Sequence, residues 1–183
     1  NITNTIKDLS PDYFINRINS FGGTVNGYAA GGTGDGNHIQ KFPFASDANA
    51  TDVGDLPERT QRAEGNSSAT DGYVSGGDRS AAPYPTRYHQ FTQRFSFANE
   101  NNSSFVGSLN RSRYGGSGQS SVSHGYLSGG LNQSSSPITK FEKFPFAFAE
   151  GGSTDVGDLV QIQYYTAGHS SPSNGYISGG NEP

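Results

Sequence analysis

Apolar residues along the chain occur in short alternating runs that are bounded by glycine, serine, asparagine and aspartate. In the clearest run, residues 139–148, Phe144, Phe146 and Phe148 alternate with a lysine and a proline. Alternation with a period of two predicts a β-strand with one buried face. No segment shows an apolar stripe at the spacing of an amphipathic helix. The pattern therefore predicts an all-β fold of short strands.

Four sequence blocks recur with a period of about 50 residues. The block Gly-Tyr-x-x-Gly-Gly begins at Gly27, Gly72, Gly125 and Gly175. A block with two phenylalanines at alternate positions follows at residues 41–44, 94–97 and 143–146. A Val-Gly-x-Leu block comes next, within residues 52–56, 105–109 and 155–159. A Gly-x-Ser-Ser block starts seven residues before three of the Gly-Tyr glycines, at residues 65, 118 and 168.

Each block is short, aromatic or β-branched, and bounded by turn-forming residues, which predicts a strand. Four short strands in each repeat of about 50 residues are typical of a β-propeller blade. Such a unit cannot bury both of its faces alone and must stack on its neighbours. The doubled glycines are predicted to allow close approach between neighbouring backbones, and the Gly-Tyr tyrosines and Phe-x-Phe pairs are predicted to fill the core between sheets.

The repeat resembles the kelch repeats of galactose-oxidase-like β-propellers. It shares a Gly-Gly pair that closes an apolar strand, an arginine that opens the repeat (Arg62 and Arg113), an aromatic strand after a variable loop, and the period. Three sequence motifs are similar to those of kelch-like repeat proteins of marine bacteriophages. They are Gly-Tyr-x-Ser-Gly-Gly, Lys-Phe-Pro-Phe-Ala and Thr-Asp-Val-Gly-Asp-Leu. Standard repeats carry an outer-strand tryptophan that this chain lacks, and the Val-Gly-Asp-Leu block is its candidate replacement. The resemblance implies a kelch-like β-propeller.

Under this alignment the chain divides into a last strand, three blades and two further strands. These units are residues 1–13, 14–56, 57–109, 110–159 and 160–183. A propeller needs about four to eight blades to close, so three arrangements stay open. The chain is a segment of a larger ring, several chains complete one ring, or the two ends share a three-stranded blade. The absence of methionine and the Asn1 start predict a processed product or a segment.

Composition narrows the chemistry that the repeats can carry. The net charge is −4, only 15% of residues are charged, and the polar residues are mainly serine, asparagine, threonine and glycine, which argues against nucleic-acid binding by bulk charge. No apolar run approaches the length of a membrane span. Without cysteine the chain cannot form a disulfide, a thiolate metal site or the Cys–Tyr cross-link of galactose-oxidase copper chemistry. We expect no metal and no cofactor.

The histidines and paired aspartates are predicted to be structural. His38, His89, His124 and His169 lie at different repeat positions without metal-ligand spacing, so we expect exposed loop residues, although a site formed by convergence of distant repeats stays open. The aspartates at 52 and 55 and at 155 and 158 are replaced by phenylalanine and serine in the middle repeat. This replacement favours hydrogen bonding at a strand end or turn over calcium binding or acid–base chemistry.

Tyrosines in the variable loops are the candidate binding residues. Tyr84, Tyr88, Tyr164 and Tyr165 lie outside the repeated blocks, where exposed aromatic rings can stack on sugars or anchor protein contacts. Packing within the loops is the alternative explanation. The longest loop, residues 78–89, is stiff and apolar around Tyr84 and is a candidate partner surface.

These observations predict a non-enzymatic structural or adhesive module, because no repeat contains a catalytic cluster that its counterparts lack. The expected setting is a virion or an extracellular appendage such as a phage tail fibre. The expected partners are other protein subunits, including further copies, and glycans, with no nucleic acid and no membrane insertion. The alternative is a lectin with repeated sites between blades. An enzymatic function would require a carboxylate pair or a His/Tyr pair to converge at one end of the repeats.

Overall fold

The computed structural model describes residues 25–32, 36–79, 87–147 and 152–181. These residues form antiparallel strands, turns and loops, without a helix. The predicted all-β fold is therefore confirmed for the described part of the chain. No membrane-spanning helix is found in that part. The predicted strand in residues 1–13 and the candidate Tyr84 lie outside the described residues.

The strands of the described residues are named in chain order. They are β1 (Asn26–Ala30), β2 (His38–Pro43), β3 (Thr51–Asp55), β4 (Glu64–Ser67), β5 (Asp71–Ser75), β6 (Asp78–Arg79), β7 (Arg87–Tyr88), β8 (Phe91–Ser96), β9 (Ser104–Ser108), β10 (Ser117–Ser120), β11 (His124–Ser128), β12 (Lys140–Pro145), β13 (Thr154–Asp158), β14 (Ala167–Ser170) and β15 (Gly175–Ser178).

Four successive sheets follow the sequence repeat. Sheet A contains β1-β2-β3, sheet B contains β4-β5-β8-β9, sheet C contains β10-β11-β12-β13, and sheet D contains β14-β15. The two ends of the long loop of residues 78–89 are joined, because β6 pairs with β7 as a separate two-stranded sheet. Neighbouring strands within each sheet are antiparallel, as the short connections require.

The strand register is the same in sheets A, B and C. The Gly-Tyr glycine lies opposite the first phenylalanine of the Phe-x-Phe block, in the pairs Gly27–Phe42, Gly72–Phe95 and Gly125–Phe144. The next pairing is irregular at equivalent places, at residues 39/40, 92/93 and 141/142. Equivalent sequence blocks therefore occupy equivalent structural positions.

The Gly-x-Ser-Ser block joins one sheet to the next through the first strands. A Cβ atom on Gly118 would lie 2.0 Å from the carbonyl oxygen of Gly65, so only glycine permits this approach. The first serine of the block then links the strands. Ser67 N donates to Ser120 Oγ at 3.0 Å, and Ser120 N donates to Ser170 Oγ at 2.8 Å.

The second serine of the block closes the turn between the first two strands of each sheet. The Oγ atoms of Ser68 and Ser121 accept hydrogen bonds from the backbone N–H groups three residues later, both at 3.0 Å. Ser171 makes the same contact at 3.1 Å. A serine hydroxyl stabilises such a turn by replacing a backbone acceptor. The two serines of the block therefore have separate structural roles.

The hydrophobic core lies between neighbouring sheets. Between sheets B and C, the ring of Tyr73 stacks on Phe146 at 4.8 Å, beside the buried Leu109, Leu127 and Phe144. Between sheets A and B, Tyr28 stacks on Phe97 at 4.7 Å in the equivalent position. The predicted core role of the Gly-Tyr tyrosines and Phe-x-Phe pairs is confirmed at both interfaces.

The Gly-Gly pairs provide a second link between sheets. The second glycine of each pair donates its N–H to the carbonyl oxygen of a residue in the following repeat. These bonds are Gly32–Thr60 at 2.8 Å, Gly77–Arg113 at 2.7 Å and Gly130–Gln163 at 3.0 Å. They identify the three acceptor residues as repeat equivalents and confirm the predicted close approach of neighbouring backbones.

Candidate binding site

Three of the predicted tyrosines converge with an arginine. Tyr88 ends β7, while Tyr164 and Tyr165 lie in the segment before β14. The corresponding segments before β4 and β10 contribute Arg62 and Tyr114. We call these five residues the tyrosine–arginine cluster. The residues of the cluster come from three successive repeats. The cluster therefore forms only because these repeats pack side by side.

Three equivalent backbone positions form the base of this cluster. Arg62, Gly115 and Tyr165 have φ angles of 55°, 65° and 56°. Gly115 N donates to Arg62 O at 2.8 Å, and Tyr165 N donates to Gly115 O at 2.5 Å. Glycine tolerates this left-handed conformation, whereas arginine and tyrosine are strained by on the order of 1 kcal/mol. Strained side-chain-bearing positions of this kind concentrate at functional sites.

Arg62 is held in place by three groups. Its Nε donates to Asp78 Oδ1 at 2.8 Å, and a second guanidinium nitrogen contacts the other carboxylate oxygen. A further nitrogen donates to the Tyr165 hydroxyl at 3.2 Å, and the guanidinium lies 4.5 Å from the centre of the Tyr114 ring. The hydrogen bonds to Asp78 raise the pKa of Arg62. Because Asp78 is fully buried, the pair presents a compensated charge to the surface.

The tyrosine rings of the cluster differ in solvent exposure. Tyr114 is buried, and Tyr88 stacks on it with ring centres 5.4 Å apart. Tyr164 and Tyr165 make an edge contact at 5.4 Å. Tyr165 is the outermost ring, with 46% of its surface exposed, whereas Tyr88 and Tyr164 are partly buried. A Cβ atom on Gly115 would lie 2.6 Å from the Tyr165 ring, so the glycine makes room for it.

Sequence reasoning missed Arg62, Asp78 and Tyr114 as members of this site. The family resemblance paired Arg62 with Arg113, but the two are not equivalent, since Arg113 corresponds to Thr60. The available signal was the spacing from the Gly-x-Ser-Ser block. Arg62 and Tyr165 both stand three residues before its glycine, so they occupy equivalent positions on either side of Gly115.

Arg113 serves a different purpose, in a buried ion pair. Arg113 and Glu142 are both fully buried, and an Arg113 nitrogen donates to Glu142 Oε1 at 2.8 Å. The other terminal nitrogen donates to the carbonyl oxygens of Leu127 and Gly129 at 2.9 and 3.2 Å. Arg111, partly exposed, also lies 2.8 Å from the same carboxylate oxygen. A charge removed from water requires such partners.

Sheet B has a neutral version of this arrangement. Gln93 occupies the position of Glu142, and its Nε2 donates to Thr60 Oγ1 at 3.2 Å. His89 lies 3.3 Å from the same hydroxyl and is 1% exposed. The prediction of an exposed loop histidine is therefore wrong for His89, because its ring fills space beside the short Thr60. Burial lowers the pKa of His89.

Glu64 is a buried carboxyl group with an incomplete set of partners. Gly116 N donates to its Oε1 at 2.8 Å, and within the described residues Oε2 accepts no hydrogen bond. Burial raises the pKa of Glu64 from 4.5 to about 7, against the opposing effect of the Arg113 charge. Because the folded state holds this proton more tightly, stability from this group is present below pH 4.5 and is lost as the pH rises to about 7.

We expect a Glu64→Gln variant to remove this pH dependence. Between pH 5 and pH 7.5 the unfolding free energy of the parent protein should fall by about 2 kcal/mol relative to the variant. Glutamine retains the acceptor for Gly116 N without carrying a charge. Urea unfolding of both proteins at the two pH values measures the difference. Parallel pH profiles would contradict the raised pKa of Glu64.

The paired aspartates lie in strands β3 and β13, and the first of each pair bonds to the local backbone. Asp52 Oδ1 accepts from Gly54 N at 3.3 Å, and Asp155 Oδ1 accepts from Gly157 N at 3.4 Å. Local hydrogen bonding of the predicted kind is thus present for the first member of each pair, but inside strands β3 and β13 and not in a turn. Across the described ranges, no three histidine, aspartate or glutamate side chains converge as a metal site would require.

Comparisons with known proteins bear on the fold. No family model and no curated protein matches this chain. Among solved structures, 110 chains match. One, described as the structure of YjhT, is similar with a TM-score of 0.67 and 11% identity, over 84% of this chain and 56% of that chain. This chain therefore spans a little over half the length of YjhT. At this identity the likeness concerns the fold alone.

Proposed function

We propose that the chain is part of a kelch-like β-propeller and acts as a non-enzymatic adhesive module. The repeat period, the common register of sheets A, B and C, and the contacts between first strands support the propeller. The setting we propose is a virion or an extracellular appendage such as a tail fibre. There the module would contact other protein subunits, including further copies, and glycans.

The tyrosine–arginine cluster is the observation that carries the adhesive function. Two of its members, Arg62 and Tyr165, keep left-handed backbone conformations that their side chains disfavour. The Arg62 guanidinium fixes the Tyr165 hydroxyl, so the exposed ring is held before a ligand arrives. A binding group fixed in advance loses less conformational entropy on association.

The chemistry of the cluster favours a neutral glycan. The charge of Arg62 is paired with the buried Asp78, which removes the attraction for an anionic ligand. The exposed face of Tyr165 offers a flat apolar surface, and the tyrosine hydroxyls offer hydrogen bonds. Sugar rings present apolar faces with hydroxyl edges, and aromatic residues with polar groups match both.

The alternative function, a lectin with repeated sites, makes a different prediction about stoichiometry. At the position of Tyr165 the preceding repeats carry Gly115 and Arg62, and Tyr88 corresponds to Pro137. Tyr88 and Tyr165 are therefore not repeated, although Tyr114 and Tyr164 stand at equivalent positions of their repeats. The cluster supplies one composite site in the described part of the chain. We expect one glycan per chain, where the lectin would bind several.

Replacing Tyr165 with glycine should weaken glycan binding roughly 10-fold or more. Glycine is the residue of the equivalent Gly115 position and keeps the left-handed backbone, so the fold should be retained. The measurement is a glycan array followed by calorimetric titration of the best neutral glycan. Tyr176→Ala provides the control, since Tyr176 is exposed outside the cluster. Unchanged affinity of the Tyr165 variant would contradict the site, and an array without any ligand would contradict the glycan-binding function.

A further inference from the structure

A short loop of sheet C contacts the tyrosine–arginine cluster at the hydroxyl group of Tyr114. The loop consists of residues 131–137, in the connection between β11 and β12. The Oγ atom of its residue Ser135 lies 2.8 Å from the Tyr114 hydroxyl oxygen. The Tyr114 ring in turn contacts Tyr88 and the Arg62 guanidinium, at 5.4 and 4.5 Å from its centre. Ser135 is therefore joined to the cluster by a direct contact.

The backbone of this loop is closed by groups other than the Ser135 side chain. Asn132 Oδ1 accepts hydrogen bonds from Ser134 N at 2.8 Å and from Ser136 N at 3.0 Å. Asn132 N donates to Ser136 O, and Ser135 N donates to Asn132 O, both at 2.9 Å. An asparagine side chain that bonds to nearby backbone groups in this way stabilises a tight loop. The shape of the loop therefore does not depend on the Ser135 hydroxyl.

Ser135 holds a backbone conformation that a serine disfavours. Its φ angle is 58°, in the left-handed region where glycine is the least strained residue. Among the described residues, three other non-glycine residues have a positive φ, and two of them, Arg62 and Tyr165, belong to the cluster. Strained positions of this kind concentrate at functional sites. A serine hydroxyl thus stands where glycine would close the loop with less strain.

The hydroxyl groups of Tyr114 and Ser135 have unused hydrogen-bonding capacity. Each has one donor hydrogen and two acceptor lone pairs, and neither makes another hydrogen bond among the described residues. Tyr114 is buried, whereas Ser135 is exposed. When Tyr114 donates to Ser135, the serine hydrogen and one serine lone pair are left for a group in solvent. A hydroxyl that already accepts one hydrogen bond donates a stronger one.

We propose that Ser135 is a specificity-determining residue of the glycan site, and that the site selects a sugar with a free hydroxyl group at one ring position. This assignment rests on the proposed glycan-binding function. One sugar face packs on the exposed ring of Tyr165, and a hydroxyl group of the glycan bonds to the Ser135 hydroxyl as both donor and acceptor. A deoxy position offers neither role, and an O-methyl group only accepts.

The two contacts differ in the discrimination that they provide. Packing on the Tyr165 ring distinguishes sugars weakly, because an apolar surface rejects an altered hydroxyl group poorly. A hydroxyl group held in place by the protein rejects an analogue that lacks its partner, since its own donor and acceptor are then left unpaired. Tyr165 therefore supplies affinity for many neutral glycans, and Ser135 supplies the preference among them.

The test uses an array of neutral oligosaccharides composed of glucose, galactose, mannose and N-acetylglucosamine. The glycan that the parent protein binds most tightly is then titrated by calorimetry, together with the complete set of its monodeoxy derivatives. The parent protein should bind at least one derivative about 5- to 10-fold more weakly than the intact glycan. Ser135→Gly should bind the intact glycan and that derivative equally, because the contact that distinguishes them is absent.

Ser134→Gly is the matched control, because Ser134 is an exposed serine of the same loop whose side chain makes no hydrogen bond among the described residues. It should leave the affinity and the preference unchanged. Ser135→Gly should retain the melting temperature of the parent protein, since glycine fits the left-handed backbone. Tyr114→Phe provides a second variant and should reduce the same preference, because Ser135 loses the hydrogen bond that orients it.

The outcomes separate this assignment from the function on which it rests. An array without any bound glycan overturns the proposed function and the assignment together. When a glycan is bound, the assignment alone is overturned if Ser135→Gly keeps the affinity and the preference of the parent protein. It is also overturned if Ser135→Gly weakens the intact glycan and every derivative by the same factor, because a displaced loop would have that effect.

Discussion

Replacing Arg113 with methionine is expected to lower the free energy of unfolding by about 3–5 kcal/mol. The side chain is fully buried and pairs with the equally buried Glu142. Methionine fills part of the volume but leaves a carboxylate inside the protein without its main partner. The carbonyl oxygens of Leu127 and Gly129 also lose the hydrogen bonds that the guanidinium donates. Urea unfolding at neutral pH measures the change.

Arg111→Met is the matched control for this prediction. Arg111 approaches the same carboxylate at 2.8 Å, but its side chain is partly exposed. Solvent-exposed ion pairs contribute about 1 kcal/mol or less, so the control should change stability little. Adding Glu142→Gln to the Arg113 variant should restore part of the loss, because the unpaired charge is then removed. Equal losses for the two arginine variants would contradict the distinction between buried and exposed pairing.

The repetition of the sequence explains why much of the fold was predictable. Period-two alternation and turn residues predicted where the strands lie, and the recurring glycine and phenylalanine positions indicated the core. His89 was predicted wrongly because its repeat position belongs to the core. The equivalent residue of the next repeat, Ile138, is buried as well, and the His89 ring lies beside Thr60. A polar residue at such a position hides the core role when one repeat is considered alone.

The tyrosine–arginine cluster was predictable in part for a related reason. Tyr88, Tyr164 and Tyr165 were predicted as candidate binding residues because they are aromatic and lie outside the repeated blocks. Their convergence with Arg62 depends on which repeat positions meet across sheets, and the resemblance to kelch repeats assigned Arg62 a different counterpart. The backbone hydrogen bonds from Tyr165 to Gly115 and from Gly115 to Arg62 determine which positions come together. Sequence spacing identifies these positions only once the inter-sheet pairing is known.

Phe144→Ala is expected to destabilise the protein by about 3–5 kcal/mol. The ring is 0% exposed, lies over Gly125, and contacts Tyr73 from the neighbouring sheet at a centre distance of 5.7 Å. Truncation leaves a cavity at the interface between sheets B and C, and the glycine below it has no side chain with which to fill it. The variant should therefore lose the packing contact with Tyr73 in the neighbouring sheet and the packing contact with Gly125 in its own sheet.

The control for this prediction is Phe42→Ala, at the equivalent repeat position. Phe42 lies over Gly27 in the same way but is 38% exposed, so its removal should cost roughly 1 kcal/mol. Both variants are compared by urea unfolding with the parent protein. If Phe144→Ala loses much more unfolding free energy than Phe42→Ala, the contact between tyrosine and phenylalanine across sheets is the source of the stability. Among the described residues, Phe144 makes this contact and Phe42 does not. Similar losses would instead attribute it to packing within each sheet, because packing over a glycine is the feature that both positions share.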